Sequence, residues 1–174
     1  MERLSNILEE ESKKYGWGLI LVARNEFINF IKLLKTKRHL DIGCHKMLLK
    51  NLIKSIDNSI EYVGLDIWHY GTKIHVMASG DLLPFRENSF DTASLIETLE
   101  HIPDYPACLK QLYKIVRKGI FIQSVHCYSN ASLLDRTHYH VLHVTTLTRL
   151  LFYIGFKKVQ YGIKGGNLWV IAIK

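Results

Sequence analysis

The stretch ASGDLLPFRENSFDTASLIETLEHIPD, residues 78–104, decides the fold. Within it Phe90–Ile96 reads as a strand, and a helix follows from about Tyr105 to Val116. Working upstream, Ile74–Ala78 and Glu61–Asp66 read as strands, Met47–Ile56 carries a helical spacing of apolar residues, and His39–Ile42 is a short strand ending in Gly43. Downstream, Gly119–Val125 (GIFIQSV) is a nearly continuous apolar run, as expected of a strand covered on both faces. Thr145 or Thr146 can cap a helix that ends before Gly155, because a hydroxyl there satisfies open backbone N–H groups. Lys157–Gly162 and Leu168–Ile173 form a last pair of strands around the turn Gly165-Gly166-Asn167. Strands alternating with helices predict an α/β fold: a mostly parallel, seven-stranded, Rossmann-like sheet with helices on both faces and an antiparallel C-terminal hairpin at its edge.

That order limits where a ligand can sit. In open α/β sheets the pocket lies beyond the carboxyl ends of the strands, at the switch point beside the first strand. Asp41, Asp66, Asp81 and Glu97 all stand at or just past a strand end. Four carboxylates on one sheet edge point to a binding function there, against the plainer reading of loop caps without a ligand.

The 174 residues suit one domain, expected over 1–174, with a helical N-terminal segment at 1–36 and a core at 37–174. In the first segment Leu4, Ile7 and Leu8 keep helical spacing, Gly16 and Gly18 interrupt, and a second helical stretch runs from about Leu19 to Leu34. Hydrophobic residues make up 48% and charged residues 22%, a globular balance. No apolar run approaches the ~20 residues that span a bilayer, and the opening MERLSNILEEESKK is unlike a secretory signal. Cys44, Cys108 and Cys127 show neither a disulfide framework nor a metal-ligand spacing. The expectation is a cytoplasmic protein without membrane partners. The net charge of +7 favours anionic partners, but the basic clusters Lys35–Arg38, Lys114–Lys118 and Lys157–Lys158 are short and scattered.

These motifs resemble the class I S-adenosylmethionine-dependent methyltransferases, in particular the type-11 methyltransferase family, over about His39 to Phe156. HLDIGC is similar to the family's first motif, EYVGLDI to its second, and residues 78–104 to its third and fourth. The resemblance implies a transferase that moves a methyl group from S-adenosyl-L-methionine (SAM) to an oxygen, less readily a nitrogen, nucleophile. It implies cofactor contacts at Asp41, Gly43, Cys44, Asp66, Ile67, Asp81, Leu82 and Glu97. The chemistry agrees: one carboxylate can hold two ribose hydroxyls, which suits Asp66, and Asp81 or the backbone after it can accept from the adenine amine. Gly43 lets the backbone approach the methionine moiety. One departure stands out. The family's loop reads D-x-G-C-G-x-G, and here His45 and Met47 replace its second and third glycines. That supports a rival reading, a catalytically inactive binding protein on the same fold. A different nucleotide-binding Rossmann protein fits poorly, since no G-x-G-x-x-G loop is present.

Glu97, Glu100 and His101 fall at i, i+3 and i+4, one face of a helical turn. Two carboxylates and an imidazole can hold Mg²⁺ or another divalent metal. The E-x-x-E-H pattern resembles ubiquinone-pathway O-methyltransferases and small-RNA 2′-O-methyltransferases, whose ion holds the acceptor hydroxyls. Alternatively His101 serves as a general base. Asp135-Arg136-Thr137-His138-Tyr139-His140 and His143 resemble the family segment that covers the acceptor pocket. There His138 is either a catalytic or metal-shell residue, or part of a self-packed loop. Tyr15 and Trp17 are candidates to close over the cofactor. The acceptor is left open between a small molecule, a glycan and RNA.

Overall fold

The computed structural model describes residues 21–71, 73–130 and 135–174. The expected helix around Leu4 to Leu8, and Tyr15 and Trp17, lie outside them. Among the described residues the elements run α1 (Arg24–Leu33), β1 (Arg38–Ile42), α2 (Leu49–Ile56), β2 (Glu61–Asp66), β3 (Val76–Met77), β4 (Phe90–Ile96), a 3-10 turn (Leu99–His101), α3 (Tyr105–Ile115), β5 (Val116–Val125), α4 (Val144–Ile154), β6 (Lys158–Lys164) and β7 (Asn167–Ile173). The sheet order is β3-β2-β1-β4-β5-β7-β6. Strands β1 to β5 pair in parallel, whereas β7 is antiparallel to both β5 and β6. β6 therefore forms the edge and β7 is slotted inside it, where the sequence suggested only an antiparallel margin.

Two cores hold the helices to the sheet. Leu109 and Leu112 of α3, and Leu147 and Leu151 of α4, pack with Ile42, Leu95, Ile120 and Val170 on one face. On the other, Phe27, Phe30 and Ile31 of α1 and Leu49, Leu52 and Ile53 of α2 pack with Tyr62, Phe121 and Ile171. Phe27 stands edge-on to Phe121 at 5.1 Å, a favoured aromatic geometry. Within this second face a buried polar chain crosses the strands. His39 Nδ1 lies 2.8 Å from Thr92 Oγ1 and its Nε2 2.9 Å from Ser94 Oγ, and burial holds the ring neutral, its pKa lowered to about 3.

Several boundaries differ from the sequence expectation for identifiable reasons. β3 is two residues long because the His75 ring, not its backbone, meets β2, with Nδ1 accepting from Gly64 N at 3.0 Å. β5 starts at Val116 rather than Gly119; Arg117 and Lys118, which look unlike strand interior, reach Asp91 at 3.5 and 3.4 Å. The cap of α4 is His143, whose side chain accepts from Thr145 N, so neither Thr145 nor Thr146 caps it. Gly165 and Gly166, at φ 58° and 80°, make the whole hairpin turn, and Asn167 belongs to β7. Two consecutive positive φ values are the twist-compatible turn that favours glycine.

The parallel strands point one row of loops, those after Ile42, Asp66, Ile96 and Val125, to a single edge; the basic clusters gather at the opposite edge, at the starts of β1, β5 and β6. Among the described residues no helix is long and apolar enough to cross a membrane.

Candidate active site

The loop after β1 keeps the shape of a glycine loop without its glycines. Gly43, His45 and Met47 have φ of 71°, 47° and 55°, in the left-handed region that costs L-residues roughly 1–2 kcal/mol each. Gly43 itself is required: a Cβ there would run into Thr98, just past β4. Met47 is half-buried and packs against the core that α1 and α2 share with the sheet, close to Gly64 of β2. Cys44 is buried against Gly64, and burial pushes its thiol far up, so it is a packing residue.

Asp66 closes β2 and binds this loop. Its Oδ2 accepts from His45 N at 2.7 Å and its Oδ1 from Trp68 N at 3.2 Å. Burial raises its pKa against the pull of those N–H groups. The rings of His45 and Tyr70 lie 4.1 Å apart beside it, and Asp66 is only 6% exposed. A ligand hydroxyl on these oxygens would require that ring pair to give way. Ile67 and Leu82, by contrast, are 50% and 76% exposed, apolar surfaces of the kind an adenine ring can cover. Asp81 follows nearby, its Oδ1 accepting from Ser79 Oγ at 2.6 Å and its carbonyl from Gln111 Nε2 at 2.6 Å. Asp41 is placed differently from expectation. Its oxygens accept from Tyr62 Oη (2.6 Å) and Ser94 Oγ (2.8 Å) inside the sheet, and burial raises its pKa to about 6. It supports the strands beneath the loop.

Glu97, Glu100 and His101 do not share a helical face. Glu97 has φ 48° and precedes the 3-10 turn that carries the other two. Its Oε1 accepts from Gln123 Nε2 (2.8 Å) and Asn167 Nδ2 (2.7 Å). Glu100, 1% exposed, has no well-formed hydrogen bond on either carboxylate oxygen, with Ser124 and the Val125 backbone beside it. Leaving such a charge unpaired in the interior is costly. Burial raises the pKa of both acids, and repulsion from Glu100 adds to the rise at Glu97.

His138 completes the group. Ligand atoms of Glu100, His101 and His138 lie within 4.8 Å of one another, and the two imidazoles meet edge-to-face at 4.7 Å. The arm bearing His138 is anchored, since Tyr139 N and His140 N both donate to the Glu100 carbonyl at 2.9 and 3.3 Å. His101 Nδ1 is 3.1 Å from the Thr137 carbonyl, an acceptor only, which places the hydrogen on Nδ1 and the lone pair on Nε2. Asp135 sits behind this, accepting from Thr137 N (2.8 Å) and Thr137 Oγ1 (2.6 Å) and lying 3.6 Å from His138 Nε2.

Sequence reasoning missed Gln123, Thr137 and Asn167, the groups that orient the acid and the imidazole. A buried Gln123 in the apolar strand GIFIQSV was the available signal, because a buried amide demands a partner.

A family profile described as a methyltransferase domain matches residues 21–161. The chain belongs to this methyltransferase domain family. No curated protein matches the chain. Among solved structures it is similar to a SAM-dependent methyltransferase from Archaeoglobus fulgidus, with 20% identity, TM-score 0.69, and coverage of 87% of this chain and 94% of that one. It also resembles human N-acetylserotonin methyltransferase in complex with SAM (16% identity, TM-score 0.67, 88% and 52% covered). A third is the methyltransferase domain of bacterial CtHen1-C (17% identity, TM-score 0.68, 87% and 96% covered). At these identities the likeness bears on the fold.

The pairing of His45 and Tyr70 makes one outcome checkable. If it must open, Tyr70→Ala removes that cost, and S-adenosylhomocysteine should bind several-fold tighter by calorimetry. Weaker binding would instead make Tyr70 a contact.

Proposed function

We propose that the protein is a metal-assisted O-methyltransferase, with cofactor held along Gly43, Asp66, Ile67, Asp81 and Leu82 and the acceptor hydroxyl brought to Glu100, His101 and His138. The observation that supports this is the grouping of a buried carboxylate, Glu100, with two imidazoles, their ligand atoms within 4.8 Å of one another. Such a donor set fits a divalent cation. Two imidazoles with a carboxylate suit Mn²⁺, Co²⁺ or Fe²⁺ better than Mg²⁺, which prefers all-oxygen shells.

SAM supplies the methyl group, and the ion supplies a positive charge that lowers the pKa of an acceptor hydroxyl and holds it in place. The chain's own residues do the positioning. Thr137 fixes the His101 tautomer, with Asp135 behind Thr137 and beside His138; Gln123 and Asn167 keep Glu97 from swinging. Glu97, repelled by Glu100, retains a proton near neutrality. Methyl transfer needs mainly in-line placement of donor and acceptor, which a rigid strand edge provides.

The acceptor we favour is a hydroxylated small molecule. The basic clusters lie at the far edge of the sheet, which weakens the electrostatic case for an RNA strand at this site. Transfer of label from methyl-labelled SAM to catechols or polyols, lost after EDTA and restored by Mn²⁺, is the expected result. Undiminished transfer after EDTA would overturn the role of the ion.

The acids also set a pH dependence. Both folded pKa values lie above the unfolded 4.5. The stability these groups contribute in the ion-free chain is therefore present below 4.5 and lost as pH rises through the raised values. An ion that displaces a proton from these acids would bind more tightly as pH rises, by up to about tenfold per unit for one proton. Calorimetry in buffers of different ionisation enthalpy should show a proton released near neutral pH.

A further inference from the structure

We propose a second metal site, built by His126, Cys127 and His143 for Zn²⁺ or a similarly thiophilic divalent ion, that pins the end of β5 to the start of α4. This stands apart from the methyl-transfer reading. The sequence hides the group: two adjacent residues and a third sixteen positions on match no familiar ligand spacing. In the fold their ligand atoms lie within 4.8 Å of one another.

The cluster is held by its backbone before any ion binds. His126 N donates to the Gly166 carbonyl of the hairpin turn at 3.0 Å, and Cys127 N to the Leu142 carbonyl at 3.0 Å. Ser129 N closes a turn onto the His126 carbonyl at 2.8 Å. His126 is buried, with 2% of its surface exposed, while Cys127 is half-buried and not in a disulfide. Cys127 Sγ stands 3.9 Å from both ring nitrogens of His126, and the His126 and His143 rings are 5.6 Å apart. Tetrahedral zinc with these donors needs neighbouring ligand atoms roughly 3.3–3.6 Å apart, so small side-chain adjustments suffice. Burial, with His143 adjacent, also lowers the His126 pKa and keeps a lone pair available.

The donor types choose the ion. One sulfur and two imidazoles select Zn²⁺, Co²⁺ or Ni²⁺ over Mg²⁺ or Ca²⁺, and the thiolate sulfur is what distinguishes this site from the one around Glu100. Binding replaces the S–H bond of Cys127 by a metal–thiolate bond and releases one proton to solvent, without redox change. His143 now caps α4 through Nδ1, which accepts from Thr145 N at 3.2 Å. Ligation through either nitrogen gives up that long bond, and the ion takes over as the fixture of the helix start. Three protein ligands leave a fourth position for water. Between β5 and α4 the chain carries His138, so the clamp steadies the arm that serves the first site.

Cobalt tests this without turnover. The full chain, stripped with chelator, is titrated with Co²⁺ while the thiolate-to-cobalt charge-transfer band in the near ultraviolet is followed. The band should saturate at one equivalent in Glu100→Gln and by two equivalents in the wild type, whose Glu100 site also takes Co²⁺. Cys127→Ser should abolish it. His143→Gln, whose carboxamide oxygen can keep the cap on Thr145, should weaken Co²⁺ by more than the roughly 10–100-fold that losing an outer hydrogen-bond partner costs. A wild type without the band, a band that survives Cys127→Ser, or saturation only at millimolar Co²⁺ would each overturn the proposal.

Discussion

Glu100→Gln is expected to abolish divalent-ion binding at the candidate active site and to reduce methyl transfer by on the order of 10²–10³-fold, with the fold intact. The substitution keeps shape and removes charge. In the present chain the Glu100 carboxylate is buried, and burial pushes its pKa up. A neutral amide relieves the electrostatic cost, so the ion-free variant should melt no lower than the wild type at pH 8, where the acid is driven to ionise. Melting curves with and without Mn²⁺ check both halves. The wild type should gain stability from the ion and the variant should not. A variant still stabilised by Mn²⁺ would remove Glu100 from the ligand set.

Gly43→Ala should be the most damaging single change to stability at this edge. The position has φ +71°, and its added Cβ would overlap the Thr98 side chain. Left-handed strain of roughly 1–2 kcal/mol and overpacking of roughly 1–3 kcal/mol combine to about 2–5 kcal/mol. For a domain of this size each kcal/mol lowers Tm by about 2–4 °C. Gly71→Ala provides the control: its φ is also +71°, but nothing lies within 4 Å of the added carbon, so only the strain remains. A Gly43→Ala variant that melts no lower than Gly71→Ala would show that Thr98 yields at little cost. Calorimetry with S-adenosylhomocysteine should also show binding lost in Gly43→Ala, because Thr98 and the loop cannot both keep their places.

How much the sequence disclosed depended on how local the determining physics is. The bounds of β2 and β4 are read correctly from their apolar content, since each strand is buried over most of its length. The single sheet edge followed from alternation of strands and helices, and with it the gathering of Asp66, Asp81 and the E-x-x-E-H group. Side-chain direction was less legible. Spacing alone put Glu97 on a helical face with Glu100, but a left-handed backbone at Glu97 sends it to Gln123 and Asn167, partners 26 and 70 residues away. Asp41 looked like a loop acid, yet its partners Tyr62 and Ser94 come from the flanking strands, a contact that only the sheet order creates. The His126–Cys127–His143 group was invisible for the same reason: the hairpin turn and Leu142 bring its parts together through backbone hydrogen bonds.

The altered glycine loop is the place where sequence and structure inform each other most. His45 and Met47 argued for a lost cofactor site, because side chains resist positive φ. The backbone adopts positive φ there regardless, and Met47 packs against the core. The N–H groups of the loop are engaged within the protein: Gly43 N and Cys44 N donate to the Leu65 carbonyl, Met47 N to the Cys44 carbonyl and His45 N to Asp66. His45 and Met47 therefore do not by themselves forbid the loop's shape.

The most direct measurement is a crystal structure of the chain with S-adenosylhomocysteine and Mn²⁺, collected with anomalous scattering at the manganese edge. The expected result is ribose hydroxyls on Asp66, with the His45–Tyr70 pair displaced, and one anomalous peak among Glu100, His101 and His138. Density showing the ring pair still closed on Asp66, no adenosyl ligand at the strand edge, and no peak near Glu100 would contradict it.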